Sequence, residues 1–267
     1  NDGTLWSWGS GGSGRLGHGN TTSYSSPVQV GALTTWATIA ASGGGQYSFA
    51  IKTDGTLWAW GENAAGRLGT NNKLPYSSPV QIGSLTNWRS IDTFGPIITS
   101  TKTDNTLWTW GQNAWGQMGD GTKVDKSSPV QIGSTVWAAS AGGNRHSMAL
   151  RTDGTLWGMG YQAQGQLGVG NTTYYSSPKQ VGALTTWSKL TCGSKQTLAI
   201  KTDGTLWAWG ENTSGKLGLG NTANYSSPKQ VGALTTWESV ESGNSQTVIG
   251  KTDGTLWTMG SNGDYQL

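Results

Sequence analysis

The chain has 267 residues, a net charge of +3, 43 glycines, 16 tryptophans and a single cysteine, and only 12% of its residues are charged. Glycine is about twice as common as usual and charge about half as common, which describes turn-rich β-structure under a hydroxyl-covered surface. The tryptophans exclude a disordered chain, and one cysteine, Cys192, excludes an intramolecular disulfide. The absence of basic runs argues against a nucleic-acid or acidic-membrane footprint, and no stretch is apolar enough to cross a membrane as a helix.

Along the chain, Asp2-Gly3-Thr4-Leu5-Trp6-Ser7-Trp8-Gly9 comes first and then returns with its aspartate at Asp54, Asp104, Asp153, Asp203 and Asp253, in steps of 52, 50, 49, 50 and 50 residues. Trp36, Trp88, Trp137, Trp187 and Trp237 keep the same step, as do the prolines of Ser-Ser-Pro at Pro27, Pro79, Pro129, Pro178 and Pro228. Ser176 to Trp187 recurs letter for letter as Ser226 to Trp237. A fixed period of this length marks a repeat architecture. The chain starts at Asn1 and stops at Leu267 inside a repeat, without an initiator Met or signal peptide, so residues 1–267 are expected to be one array cut from a longer chain.

Residues 137–181 serve as the reference repeat. Trp137 to Ala141 is a short apolar run ended by Gly142-Gly143-Asn144. His146 to Leu150 alternates large and small residues, the period of a strand. Asp153-Gly154 then predicts a tight hairpin of the type that needs positive φ at both central residues. Asn105 replaces that glycine in one copy, and Asn tolerates positive φ. Thr155 to Met159 is the next strand, with Trp157 and Met159 on one face to fill the space between neighbouring sheets. After a polar loop, Ser177 to Val181 makes a last strand whose proline suits a sheet edge. Four short antiparallel strands per repeat predict an all-β propeller of four-stranded blades. A β-solenoid is the alternative, disfavoured by the hairpins.

Gly143-Asn144-Arg145-His146-Ser147-Met148-Ala149-Leu150, followed by Thr152-Asp153-Gly154, resembles the regulator-of-chromosome-condensation repeat family, as do Gly61 to Gly69 and the loops from Gly111, Gly160 and Gly210. The resemblance covers essentially the whole chain and is taken as the bacterial or phage type. It implies a propeller, usually of seven blades, whose chain ends complete one blade together. Five to six repeats are represented here. The resemblance also implies protein binding through the faces of the disc. Its members include a nucleotide-exchange factor for a small GTPase, ubiquitin-ligase modules and secreted enzyme inhibitors. Fold alone does not choose among these.

Catalytic sets are sought without success. His18 and His146 occupy different parts of their repeats, and the lone Cys192 sits in a column of small residues. The repeated aspartates belong to hairpin turns. Gly210 to Lys216 imitates a phosphate loop but continues with Leu217, and Gly12 to Gly17 imitates a dinucleotide motif without a following helix. No catalytic, metal or cofactor residue is assigned, and the protein is expected not to be an enzyme.

A binding site is sought where repeats differ. The pairs Gln46-Tyr47, Pro96-Ile97, Arg145-His146, Lys195-Gln196 and Ser245-Gln246 vary freely just before the second strand. Gln46, Tyr47, Arg145, His146, Lys195 and Gln196 are the candidate partner-binding rim. Tyr24, Tyr76, Tyr175 and Tyr225, each before Ser-Ser-Pro, are secondary candidates, and packing against the edge strand is their alternative role. Trp115 is another, in a loop where other copies have small or polar residues. The leading functional expectation is a structural or binding propeller on a virion or bacterial surface, outside the cell and within a larger assembly, facing a protein or surface glycan and neither nucleic acid nor membrane. The alternative is an intracellular regulator of a small GTPase or ubiquitin ligase.

Overall fold

The computed structural model of the chain describes residues 2–263. β1 (Trp6–Gly9) and β2 (Tyr24–Gln29) form a two-stranded sheet. Four four-stranded sheets follow. The first holds β3 (Trp36–Ala41), β4 (Tyr47–Lys52), β5 (Leu57–Gly61) and β6 (Tyr76–Gln81). The second holds β7 (Trp88–Asp92), β8 (Ile97–Lys102), β9 (Leu107–Gly111) and β10 (Lys126–Gln131). The third holds β11 (Trp137–Gly142), β12 (His146–Arg151), β13 (Leu156–Gly160) and β14 (Tyr175–Gln180). The fourth holds β15 (Trp187–Cys192), β16 (Gln196–Lys201), β17 (Leu206–Gly210) and β18 (Tyr225–Gln230). A three-stranded sheet of β19 (Trp237–Ser242), β20 (Gln246–Lys251) and β21 (Leu256–Gly260) completes the series.

Each sheet is an antiparallel meander in sequence order. The first strands pack successively, β3 on β7, β7 on β11, β11 on β15 and β15 on β19, so they line the centre of the array. Ala41, Asp92, Cys192 and Glu241 from four of them share a central cavity of about 420 Å³. The Ser-Ser-Pro strands lie outermost, as the proline required. The array is thus a β-propeller of four-stranded blades, incomplete in its first and last sheets.

The Asp-Gly hairpins form with a different turn from the one expected. The Gly154 N–H donates to Arg151 O (3.0 Å), and the Arg151 N–H donates to Thr155 O (2.9 Å). Thr152 and Asp153 therefore occupy an ordinary turn, and only Gly154 is left-handed, at φ +78°. This is the three-residue hairpin with a left-handed bulge residue. Asn105 fills the same position at φ +64°. The aspartate stabilises the turn locally: Asp153 Oδ1 accepts from the Thr155 N–H (2.9 Å) and hydroxyl (2.6 Å). Thr155 Oγ1 in turn accepts from Trp157 Nε1 (2.9 Å). The Thr155 hydroxyl is the main cause holding the Asp153 carboxyl below its ordinary range.

That relay positions a cation the sequence reading missed. Lys52, Lys102, Arg151 and Lys201 lie over the third-strand indoles of Trp58, Trp108, Trp157 and Trp207 at 3.8, 3.6, 3.9 and 3.6 Å from the ring centroid. The same indoles meet Trp36, Trp88, Trp137 and Trp187 edge to face. Each of the four-stranded blades thus carries an indole pair bridged by a cation, an arrangement worth about 0.5–2 kcal/mol when partly desolvated. Two residues further on, Trp60, Trp110, Met159 and Trp209 are buried between blades, as expected. Where the neighbouring blade is missing, the columns open to solvent: Trp8, with no blade before it among the described residues, is 58% exposed, and Leu256, with none after it, 74%.

Candidate partner-binding face

Strand alternation sends the Asp-Gly hairpins to one face of the disc. The turns between first and second strands, and the long loops between third and fourth, go to the other. The two segments of that second face are joined in each blade. The N–H groups of Glu62, Gln112, Tyr161 and Glu211 donate to the carbonyls of Gln46, Pro96, Arg145 and Lys195 at 3.0, 2.9, 2.8 and 2.9 Å.

A buried amide stiffens the long loop of each four-stranded blade. Asn63 Oδ1 accepts the Leu68 N–H (2.8 Å), and its Nδ2 donates to Leu74 O (2.9 Å). Asn113, Gln162 and Asn212 accept from Met118, Leu167 and Leu217 in the same way. The loop then reaches the next blade, where the Gly121 and Gly170 N–H groups donate to Ser176 O and Ser226 O (both 2.8 Å). Tyr24, Tyr76, Tyr175 and Tyr225 belong to this framework. Each is half-buried, and its hydroxyl accepts from Asn20, Asn72, Asn171 or Asn221 Nδ2 at 3.2, 2.9, 3.1 and 3.1 Å.

The variable pairs split into two roles. Gln46 and Arg145 are exposed and Lys195 is half-exposed, whereas Tyr47, His146 and Gln196 are buried. The second residue of each pair is the first of a strand, and in these three blades its side chain turns inward and contacts the next blade. The Tyr47 hydroxyl bonds Thr93 Oγ1 (3.0 Å) and donates to Gly95 O. His146 Nε2 lies 3.1 Å from Thr197 Oγ1. Gln196 Nε2 donates to Ser242 Oγ (2.8 Å) and Gly243 O (2.9 Å). Of the six rim residues, only Gln46, Arg145 and Lys195 face solvent; the other three latch blades together.

Burial pushes the Tyr47 hydroxyl up to about 12 and His146 down to about 3. An imidazole that binds protons less readily when folded than when unfolded loses its stabilising contribution as pH falls below the unfolded value, near 6.5. His146→Gln, which installs the residue of the Gln196 column, should remove roughly 2 kcal/mol of acid sensitivity at pH 5. Urea midpoints of both proteins at pH 7 and pH 5 measure this, and an unchanged difference between the two pH values rules it out.

Other reactive groups are structural in their placement. Cys192 is buried, and burial raises its thiol well above the ordinary range. Asp92 accepts the Gly142 N–H (2.9 Å), and burial lifts its carboxyl to about 6. Lys216, from the stretch resembling a phosphate loop, is buried and paired with Glu211 at 2.7 Å. His18 sits on the first sheet beside Ser7 Oγ (3.0 Å). Among the described residues, no three His, Cys, Asp or Glu side chains lie together as a metal site.

One cleft on this face brings several of the candidates together. It encloses about 670 Å³ and is lined by Gln46, Tyr47, Arg67, Trp115, Asn144 and Arg145 among others. Trp115 is half-buried and meets Tyr161 and Tyr174 edge to face at 5.0 and 5.6 Å. The exposed candidates Gln46 and Arg145 are thereby brought together with Trp115, while Lys195 pairs with Glu211 at 3.0 Å. Tyr161 and Tyr174 were not anticipated, although both depart from the repeat pattern in the sequence.

Residues 4–267 match the model of the RCC1-like domain, and the chain belongs to that family. It is 39% identical to mouse Protein RCC2 over 82 residues, which cover 30% of this chain and 16% of RCC2. The crystal structure of human WBSCR16 superposes with a TM-score of 0.82 at 20% identity, covering 93% of this chain and 67% of WBSCR16. Yeast RCC1 (Prp20) bound to Kap60 superposes with a TM-score of 0.81 at 20% identity, covering 96% of this chain and 64% of Prp20. Prp20p from Saccharomyces cerevisiae has also been described with its binding properties to Gsp1p and histones. The chain therefore spans about two thirds of these solved relatives and a small part of RCC2.

Proposed function

We propose that the chain is a non-enzymatic protein-binding propeller with a regulatory role, of the kind that acts on a small GTPase or a ubiquitin ligase. The observation that carries this reading is the split within the variable turns. Buried second residues hold blades together, while Gln46, Pro96, Arg145, Lys195 and Ser245 stand at equivalent places with different chemistry. A common scaffold thus presents an asymmetric surface on one face. The proteins associated with Prp20, namely Kap60, Gsp1p and histones, favour a protein partner. The virion or bacterial-surface reading, with its glycan partner, finds no support among the matched relatives, and the regulator takes precedence. A seven-bladed ring in the full-length protein belongs to the same proposal, supported by the greater length of the solved relatives.

The test is affinity capture, from cell extract and with purified Gsp1p, comparing the wild-type chain with a Gln46→Ala, Arg145→Ala, Lys195→Ala triple variant. A specific partner recovered by the wild type and lost by the variant is the expected result. Recovery of no partner, or equal recovery by both, overturns the reading.

A further inference from the structure

Four departures from the repeat pattern meet at one place on this face. Trp115 stands where other loops have Ser13, Ala65, Gln164 and Ser214. Tyr161 stands where two blades have Glu62 and Glu211. Tyr174 replaces Ser23, Pro75, Asp125 and Asn224, and Arg145 occupies the variable turn. They come from two neighbouring blades, yet Tyr161 and Tyr174 lie 4.8 Å apart by ring centroid, and Trp115 contacts both. The other blades fold without any of these residues, so the scaffold does not require them.

The substitution at Tyr161 changes the electrostatics. The loop-opening residue and the exposed turn residue are neighbours in every blade through the backbone bond described above. In the blade of β15 to β18 this puts Lys195 Nζ 3.0 Å from Glu211 Oε1. In the blade of Arg145 the acid is gone. Among the described residues Arg145 has no carboxylate partner, and its guanidinium lies 5.4 Å from the Trp115 ring centroid and 5.7 Å from that of Tyr161. The adjoining cleft is lined by Arg145 and by Arg67, whose guanidinium is already paired with Glu62 at 2.8 Å, so Arg145 is its unpaired cation among the described residues. The platform is held in place from below. Buried Gln117 Oε1 accepts the Trp115 N–H (2.9 Å), and Trp115 avoids the left-handed backbone that Ser13, Ala65 and Ser214 adopt at φ +58°, +58° and +64°.

We infer that Arg145, Trp115, Tyr161 and Tyr174 anchor an acidic peptide segment of a protein partner; this rests on the protein-binding reading above. The guanidinium pairs with an Asp or Glu carboxylate through two parallel N–H···O bonds. The aromatic rings cover the adjacent apolar side chain. Tryptophan, tyrosine and arginine are the residue types that dominate interface energetics. The rings also hold the guanidinium extended before binding, which reduces the ordering cost of association.

The test is selection from a display library of random dodecapeptides on the immobilised full chain, followed by binding measurements with the synthetic form of the most enriched peptide. The expected winners carry Asp or Glu beside an aromatic or branched aliphatic residue. Arg145→Gln should weaken the peptide by about tenfold or more, whereas Lys73→Gln, an exposed cation in another loop, should leave it unchanged. Tyr161→Glu restores the acid of the Glu62 and Glu211 positions. It should therefore keep the thermal midpoint while abolishing the peptide, because Arg145 acquires an internal partner. Enrichment without acidic residues, no enrichment, or binding indifferent to Arg145→Gln and Tyr161→Glu each overturns the inference. Partner capture that survives both substitutions leaves the protein-binding reading standing and removes only this one.

Discussion

Trp110→Ala should lower the unfolding free energy by about 3–5 kcal/mol, the range for removing a large aromatic side chain from a packed interior. Trp110 is fully buried and lies 6.0 Å from both Phe49 and Trp88 by ring centroid. Its Nε1 donates to Arg67 O (2.9 Å), so the substitution also leaves a carbonyl between blades without its donor. Trp8 occupies the same column on the first sheet, where it is 58% exposed. Trp8→Ala should change stability by no more than about 0.5 kcal/mol. Urea unfolding followed by far-ultraviolet circular dichroism compares the two. Equal losses would show that burial between blades is not what makes this column stabilising.

The second large effect is expected at a glycine. Gly165 sits at φ +86°, and a Cβ there would lie 2.5 Å from both Ser226 Cα and Tyr225 O of the next blade. Both obstacles are backbone, so neither can rotate away. Gly165→Ala combines a left-handed conformation with overpacking, and should cost roughly 2–4 kcal/mol. Gly83 is also left-handed, at φ +59°, but a Cβ there meets nothing within 4 Å. Gly83→Ala should cost about 1 kcal/mol, the backbone contribution alone. Thermal and urea midpoints of both variants separate the two contributions. A Gly165→Ala protein as stable as Gly83→Ala would mean that the blades can spread apart at little cost.

Much of the architecture was legible because each repeat states it again. The Asp-Gly pairs, the alternation from His146 to Leu150 and the edge proline at Pro178 located the strands to within about two residues of β12 to β14. The detailed turn was not legible, because Asp-Gly suits both a two-residue hairpin and a three-residue hairpin with a bulge. Only the bond from the Gly154 N–H to Arg151 O distinguishes them. The column of Lys52, Lys102, Arg151 and Lys201 was present in the sequence, but its contact with two indoles depends on neighbouring strands. The candidate rim divides into exposed and buried residues, a split that the sequence alone did not show. The second strand is buried on both faces, so the step from turn to strand is also the step from solvent to interior. Arg145 lies before that boundary and His146 after it.

The aromatic cluster shows a different limit. Trp115 was visible as an anomaly in its loop, and Tyr161 and Tyr174 equally so, but they lie about fifty residues further along the chain. Nothing in linear order brings residue 115 to residue 161. The packing of one blade's loop against the next does, through the Gly121 N–H and Ser176 O. A repeat of about fifty residues thus turns departures one period apart into spatial neighbours.

The alternation at the turns also bears on how such a protein changes over time. Tyr47, His146 and Gln196 each contact a second blade, so replacing one perturbs an interface inside the disc. Gln46 and Arg145, one residue earlier, can be exchanged at the cost of an ordinary surface substitution, within about 0.5 kcal/mol. On the proposed reading, recognition and stability are written in adjacent letters but inherited separately. A lineage can readdress the disc one blade at a time, by single codon changes, while the latch beside each new letter keeps the ring in register.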